Sequence, residues 1–249
     1  MTSLSFYTPP PQAPPPGLDL LPPPSVTHGW LGMLDGPAVV GFEAPWRLGG
    51  VVVQPAHIVL GLKPWEDAFE GVLNLAHHAP IPWVRFDLEK LIRMALHQSG
   101  LALELLGGVT IEPGPIDPRA IAAAAITRGQ LGYWRDVTRR GVATPPADAL
   151  EWLALVRRLL TGCALAQDAR FVAWLPELLA QHAPAALVPH VQAALAGEPP
   201  DNAACAPLLS ALWARLDPAA PCALPERPAD YAGLEQLLVS ERLAWRGEG

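Results

Sequence analysis

Trp83-Val84-Arg85-Phe86-Asp87-Leu88-Glu89-Lys90-Leu91-Ile92-Arg93-Met94-Ala95-Leu96 contains the change of period that decides the fold. Up to Phe86 three of the four residues, Trp83, Val84 and Phe86, are aromatic or β-branched, the kind that fit a pleated strand. From Asp87 onward Leu88, Leu91, Ile92, Ala95 and Leu96 recur at i, i+3 and i+4, which places them on one face of a helix. Asp87 is a short acceptor able to cap that helix, and Gly100 closes it. The chain therefore passes from strand to helix at Asp87.

Working upstream, short apolar runs at Val26 to Leu34, Ala38 to Phe42, Val51 to Gln54 and His57 to Leu62 read as further strands, parted by Gly, Pro and Asp. Residues 1–25 carry nine prolines, among them Pro9 to Pro11, Pro14 to Pro16 and Pro22 to Pro24. Such a run favours polyproline II and cannot join a helix or a central strand, so it reads as a disordered or surface-wrapping tail. A docking motif for a partner is the other reading of it.

Working downstream, Leu101 to Leu106 forms a second short helix that stops at Gly107-Gly108. Asp117-Pro118 opens a longer one to about Arg140, with proline at the first helical position. After Pro145-Pro146, Leu150, Leu153, Val156, Leu159 and Leu160 line another helical face. Further helices are expected near 169–181, 185–196, 202–216 and 229–245. The expected fold is α+β: a small mixed sheet of four or five strands from residues 26–86 with flanking helices, then a C-terminal helical bundle. The expected divisions are 1–25 as tail, 26–115 as α/β core and 116–249 as helical domain.

Composition excludes several classes. Half of the 249 residues are hydrophobic (51%) and 16% are charged, which rules out disorder of the whole chain. No apolar run reaches the roughly 18–20 residues that span a bilayer, so no membrane partner is expected. No basic stretch followed by an apolar one opens the chain, so a cytoplasmic, soluble protein is expected. The net charge of −7 argues against broad binding to duplex DNA. Cys163, Cys205 and Cys222 are widely spaced and odd in number, which fits reduced thiols. His28 and the adjacent His77-His78 lack a third ligand at a supporting spacing, so no protein-held metal is expected. The nine tryptophans are scattered along the chain and read as core or interface anchors. P-loop, dinucleotide, nucleophile-elbow and CxxC motifs are absent.

Pro24-Ser25-Val26-Thr27-His28-Gly29 looks like the Gly-Ser-x-x-aromatic-Gly turn of polymerase-β-type nucleotidyltransferases. Leu48-Gly49-Gly50-Val51-Val52-Val53-Gln54-Pro55, with Ile58 to Leu62 after it, resembles the strand and turn behind the family's aspartate pair. The branch it resembles is the predicted nucleotidyltransferases related to the RNA-repair-pathway DNA polymerase beta family. Phe86 to Arg93 with Leu103-Glu104-Leu105-Leu106, Gly132-Tyr133 with Arg139-Arg140, Leu159-Leu160-Thr161-Gly162, Leu175-Pro176-Glu177-Leu178-Leu179 and Leu224 to Pro228 are similar to later family segments, in the same order. The resemblance covers roughly residues 24–245.

The departures fall on the chemistry. Family enzymes clamp two divalent ions with a strand-borne carboxylate pair. The resemblance puts those positions at Pro45 and Arg47, neither of which can bind a cation. Pro24 replaces a glycine of the phosphate-cradling turn. Displaced carboxylates could come from Asp35 or Glu43, with Asp87 as a third; Asp35 also reads as a turn residue before Gly36-Pro37, and Asp87 as a helix cap. Ser25 and Gly29 remain as candidate phosphate contacts. Arg128, Arg135 and Arg139 share a helix face and read either as a solvated face pairing with Asp136 or Glu151, or as a phosphate-binding row. The resemblance thus implies a nucleotidyltransferase-family protein with a degenerate metal site, binding a nucleotide, an RNA phosphate or a protein partner, with no cofactor. The alternatives are an active Mg²⁺-dependent enzyme moving a nucleoside monophosphate from an NTP to RNA, protein or a small acceptor, and a structural subunit docking through its Pro-rich tail.

Overall fold

The computed structural model describes residues 5–6, 29–33, 48–62, 64–74, 80–108, 110–112 and 116–244; residues 5–6, 29–33 and 110–112 are described by their backbone alone. The expected strand at Ala38 to Phe42 lies outside them, as do residues 7–28, which hold all the prolines of the N-terminal stretch.

Five strands make one mixed sheet: β2 (Gly29–Met33), β3 (Leu48–Val52), β4 (Ala68–Leu73), β5 (Ile81–Asp87) and β6 (Thr110–Glu112). Their spatial order is β4-β5-β3-β2-β6. β3 is the central strand, buried along its whole length. It runs parallel to β5 and antiparallel to β2. Register places Gly29 opposite Val52, and Val52 opposite Asp87. Gly29 and Asp87 therefore lie in one row across three adjoining strands.

Helix α2 (Leu88–Leu96) follows β5 directly and buries Leu88, Leu91, Ile92 and Ala95 against β3 and β5. Each of its large aliphatic side chains contributes about 1.5–3 kcal/mol of burial free energy. Helix α3 (Gly100–Gly107) packs beside it. Beyond these come α4 (Pro118–Ala125), α5 (Gln130–Ala143), α6 (Ala149–Asp168), α7 (Leu175–His182), α8 (Val188–Leu195), α9 (Asn202–Ala214) and α10 (Tyr231–Ala244). α6 is the central post, touching α5, α7, α8 and α9, while α10 lies on α4 and α2. One buried apolar cluster runs from Val51 in the sheet to Leu234 in α10. The fold is α+β, with flanking helices and a helical C-terminal region.

Several boundaries differ from the sequence expectation. His57 to Leu62 is no strand: Ala56–Val59 forms a short helix, α1, followed by a turn. Pro55 supplies the carbonyl that Ile58 N–H reaches at 3.0 Å, and Leu60 N–H reaches Ala56 O at 2.9 Å. Local hydrogen bonding thus satisfies the backbone, and Leu60 and Leu62 point outward, at 83% and 106% exposure. In chain order the sheet takes its third strand from Ala68–Leu73 and its fifth from beyond residue 86, at Thr110–Glu112. The long helix expected from Asp117 to Arg140 is two helices. Its break at Ile126 to Gly129 is held by Arg128 N–H on Pro225 O at 2.8 Å, and by Gly129, where a Cβ would lie 2.1 Å from the Gln98 side chain. A two-residue strand, β7 (Arg170–Phe171), precedes α7 and pairs in parallel with β1 (Ser5–Phe6).

Candidate functional site

Asp87 closes β5 and caps α2, so its backbone belongs to the sheet and its carboxylate to the helix. The residue is fully buried. Oδ1 accepts from Glu89 N–H at 2.9 Å, as the sequence reading of a cap requires. Oδ2 accepts from Gln54 N–H at 3.0 Å, just past the end of β3. Oδ1 also accepts from the Arg242 guanidinium at 2.8 Å, an ion pair that spans 155 residues of sequence. Burial pushes the Asp87 carboxyl up from the ordinary carboxylate range, while the two backbone donors and Arg242 pull the other way.

Arg242 is a fork. One nitrogen holds Asp87, and the other lies 2.9 Å from Glu89 Oε2. Its guanidinium carbon sits 5.6 Å from the centre of the Trp65 ring, a cation–π distance. Two further ion pairs extend the group, Lys90 with Asp67 at 2.6 Å and Arg93 with Glu89 at 2.5 Å. Beside them opens a cleft of about 480 Å³ lined by Trp65, Asp67, Lys90, Arg93, Met94 and His97, among others. Its charged lining residues are paired with one another, Lys90 with Asp67 and Arg93 with Glu89, so their charges largely cancel.

Arg128, Arg135 and Arg139 belong to a different set. Arg128 pairs with Glu226 at 3.3 Å, and Arg135 with Asp217 at 3.1 Å while stacking 4.5 Å from the Trp213 ring centre. Arg139 is bonded to Asp136 on its own helix. The sequence reading offered Asp136 or Glu151 as partners for this face: Arg139 takes Asp136, Arg135 takes Asp217, and Arg128, which lies in the break before α5 and not on the helix, takes Glu226. A phosphate at this row would have to displace carboxylates already in place.

The backbone of Gly29 opens β2, level with Asp87. Ser25, Asp35 and Glu43, with Pro45, Arg47, His28 and His77-His78, lie outside the described residues. Among the described residues no three His, Cys, Asp or Glu side chains gather closely enough to hold one metal ion. Sequence reasoning missed Gln54, Trp65 and Arg242. Only Arg242 carried a local signal, a cation in the last turn of an expected helix, where it complements the helix dipole.

Among the described residues no helix is long and apolar enough to cross a membrane. No family model matches the sequence, and no curated protein matches it. A nucleotidyltransferase-like protein from Exiguobacterium sibiricum 255-15, known from its crystal structure, is structurally similar over 88% of this chain and 70% of its own, at 11% identity and a TM-score of 0.30. A superposition that loose carries no argument about what the site does.

Proposed function

We propose that this chain is a nucleotidyltransferase-like protein that has given up metal-dependent transfer and works by binding, either of a nucleotide or RNA phosphate or of a protein partner that it regulates. The observation that supports this reading is the engagement of Asp87. A Mg²⁺ ligand needs a carboxylate lone pair open to water and substrate phosphates. Both Asp87 oxygens already accept hydrogen bonds, and Arg242 supplies positive charge where a divalent ion would bring it. An active enzyme drawing on Asp35, Glu43 and Asp87 would need Arg242 to leave first.

Calorimetric titration with Mg²⁺ and Mn²⁺, with and without nucleotide, tests the metal half of the proposal. No stoichiometric site is expected in the parent protein. A tight site abolished by Asp87→Asn or Asp35→Asn would overturn the reading and restore the active enzyme. Nucleotide and short-RNA affinity at low and moderate salt tests the binding half, because charge contacts weaken as salt screens them. Salt-sensitive binding that drops in Arg128→Ala/Arg135→Ala supports a phosphate ligand. Equal, negligible binding in both proteins leaves the partner-regulating module.

A further inference from the structure

The cleft beside the Asp87 cluster has two unlike ends. Arg242 ties the aromatic end to the first turn of α2: its guanidinium bonds Asp87 and Glu89 and lies 5.6 Å from the centre of the Trp65 ring. The other end is formed by the last turn of α2 and the residue before α3, where Arg93, His97 and Ser99 line the cavity. Lys90, Arg93 and His97 recur at spacings of three and four, so they make one row about 10 Å long on the helix. At about 480 Å³ the cavity falls within the roughly 300–1,000 Å³ usual for small-molecule sites.

The ion pairs of the cleft differ in how firmly they hold. Lys90 and Asp67 are both half-buried and meet at 2.6 Å. The Arg93 side chain is 71% exposed, and a pair so open to water contributes little. When Arg93 turns to a ligand, Glu89 keeps Arg242 on its other oxygen at 2.9 Å, so no carboxylate is stranded. A phosphate at Arg128 and Arg135 would instead separate Glu226 and Asp217 from their cations. Ser99 caps α3 without a side-chain hydrogen bond, which leaves its hydroxyl to donate elsewhere.

We propose that this cleft binds a nucleoside 5′-phosphate, free or at the end of an RNA, with the base on Trp65 and the phosphate among Arg93, His97 and Ser99. The assignment rests on the nucleotide half of the proposed function and gives it a site. An indole stacks on any base, because every base has a π face. A guanidinium fork, an imidazole and a hydroxyl supply the donors that phosphate oxygens accept. Asp67, fixed by Lys90 between the two ends, is an acceptor for the ribose hydroxyls.

Calorimetric titration of the full chain with AMP, ribose 5-phosphate and a 5′-phosphorylated RNA tetramer tests this. AMP should bind at one site per chain, and more weakly as salt rises. Trp65→Leu should weaken AMP about tenfold, the size of one base–aromatic stack, and leave ribose 5-phosphate unchanged. Arg93→Gln should weaken both about tenfold, the loss of one charge-assisted bond. Its exposed position guards against a loss that comes from unfolding. Arg128→Ala/Arg135→Ala should bind AMP as the parent does. A tetramer that binds more tightly than AMP identifies an RNA end as the ligand, and equal affinity a free nucleotide. AMP binding that falls only in Arg128→Ala/Arg135→Ala overturns this site and leaves the nucleotide reading standing. Equal weakening of AMP and ribose 5-phosphate in Trp65→Leu overturns the place of the base. Failure of both AMP and the tetramer to bind removes the site and the nucleotide reading together.

Discussion

Arg242 Nη2 lies 2.8 Å from Asp87 Oδ1 and so bonds the last described helix to the end of the sheet's second strand from the edge. Through its other nitrogen the same guanidinium holds Glu89, so one cation serves two carboxylates on one helical turn. The carboxylate that the sequence offers as a metal ligand is thereby used for structure.

Replacing Arg242 by alanine leaves Asp87 buried and short of its counter-charge. Breaking a buried pair from one side costs about 3 kcal/mol or more, and urea unfolding at neutral pH should show a loss of that order. The loss should shrink in acid. The folded Asp87 carboxyl is raised above its unfolded value near 3.8, so the stability associated with its protonated form is present below that value and is lost as pH rises through the folded one. Without Arg242 the folded value moves higher still, which widens the window in which stability falls.

Arg157 is fully buried in α6 and reaches Glu104 of α3 at 2.9 Å. Glu104→Ala should destabilise by about 3–5 kcal/mol, because a charge is left in the interior. The double replacement Glu104→Leu/Arg157→Leu should recover most of that loss. Thermal unfolding of the three proteins measures both effects.

His182, at the end of α7, is almost enclosed, with Asp168, Glu177, Arg170 and Arg215 around it. Burial lowers its affinity for a proton, with Asp168 opposing and the two arginines reinforcing. Stability from the neutral ring is therefore full above the unfolded value near 6.5 and is lost as pH falls from there through the folded value. His182→Gln should flatten that limb of a denaturant midpoint plotted against pH. An unchanged slope would assign the acid sensitivity to the carboxylates.

Burial lifts the Cys163 thiol to about 11, and Cys205 is raised by the same cause. Alkylation at pH 8 should label the half-buried Cys222 first and Cys163 last, because the thiolate is the reacting species. Mass spectrometry of a time course gives the order directly.

What the sequence revealed was what local chemistry encodes. The stripe from Leu88 to Ala95 and its Asp87 cap are enough to read α2 from local sequence, although its burial needs β3 and β5. Ile58-Val59 shows the opposite case: β-branched residues promise a strand, but Pro55 and its carbonyl wind the segment into a turn of helix. Ala68–Leu73 was missed because Glu70 and Gly71 interrupt its apolar alternation, and only β5 beside it makes it a strand. The alanine-rich run past Asp117 reads as one helix because the break comes from Pro225, far along the chain. At the site, the cap on Asp87 was legible and its bond to Arg242 was not. Side chains 155 residues apart leave no spacing pattern to detect.

That separation also orders events during synthesis. Asp87 and the strand it terminates leave the ribosome long before Arg242 is made, so the sheet must close around an uncompensated carboxylate or wait. Contacts this distant in sequence are slow to form because a long loop must be closed first. Until α10 arrives, the Asp87 carboxylate at the end of β5 has the N–H groups of Gln54 and Glu89 but not the charge of Arg242.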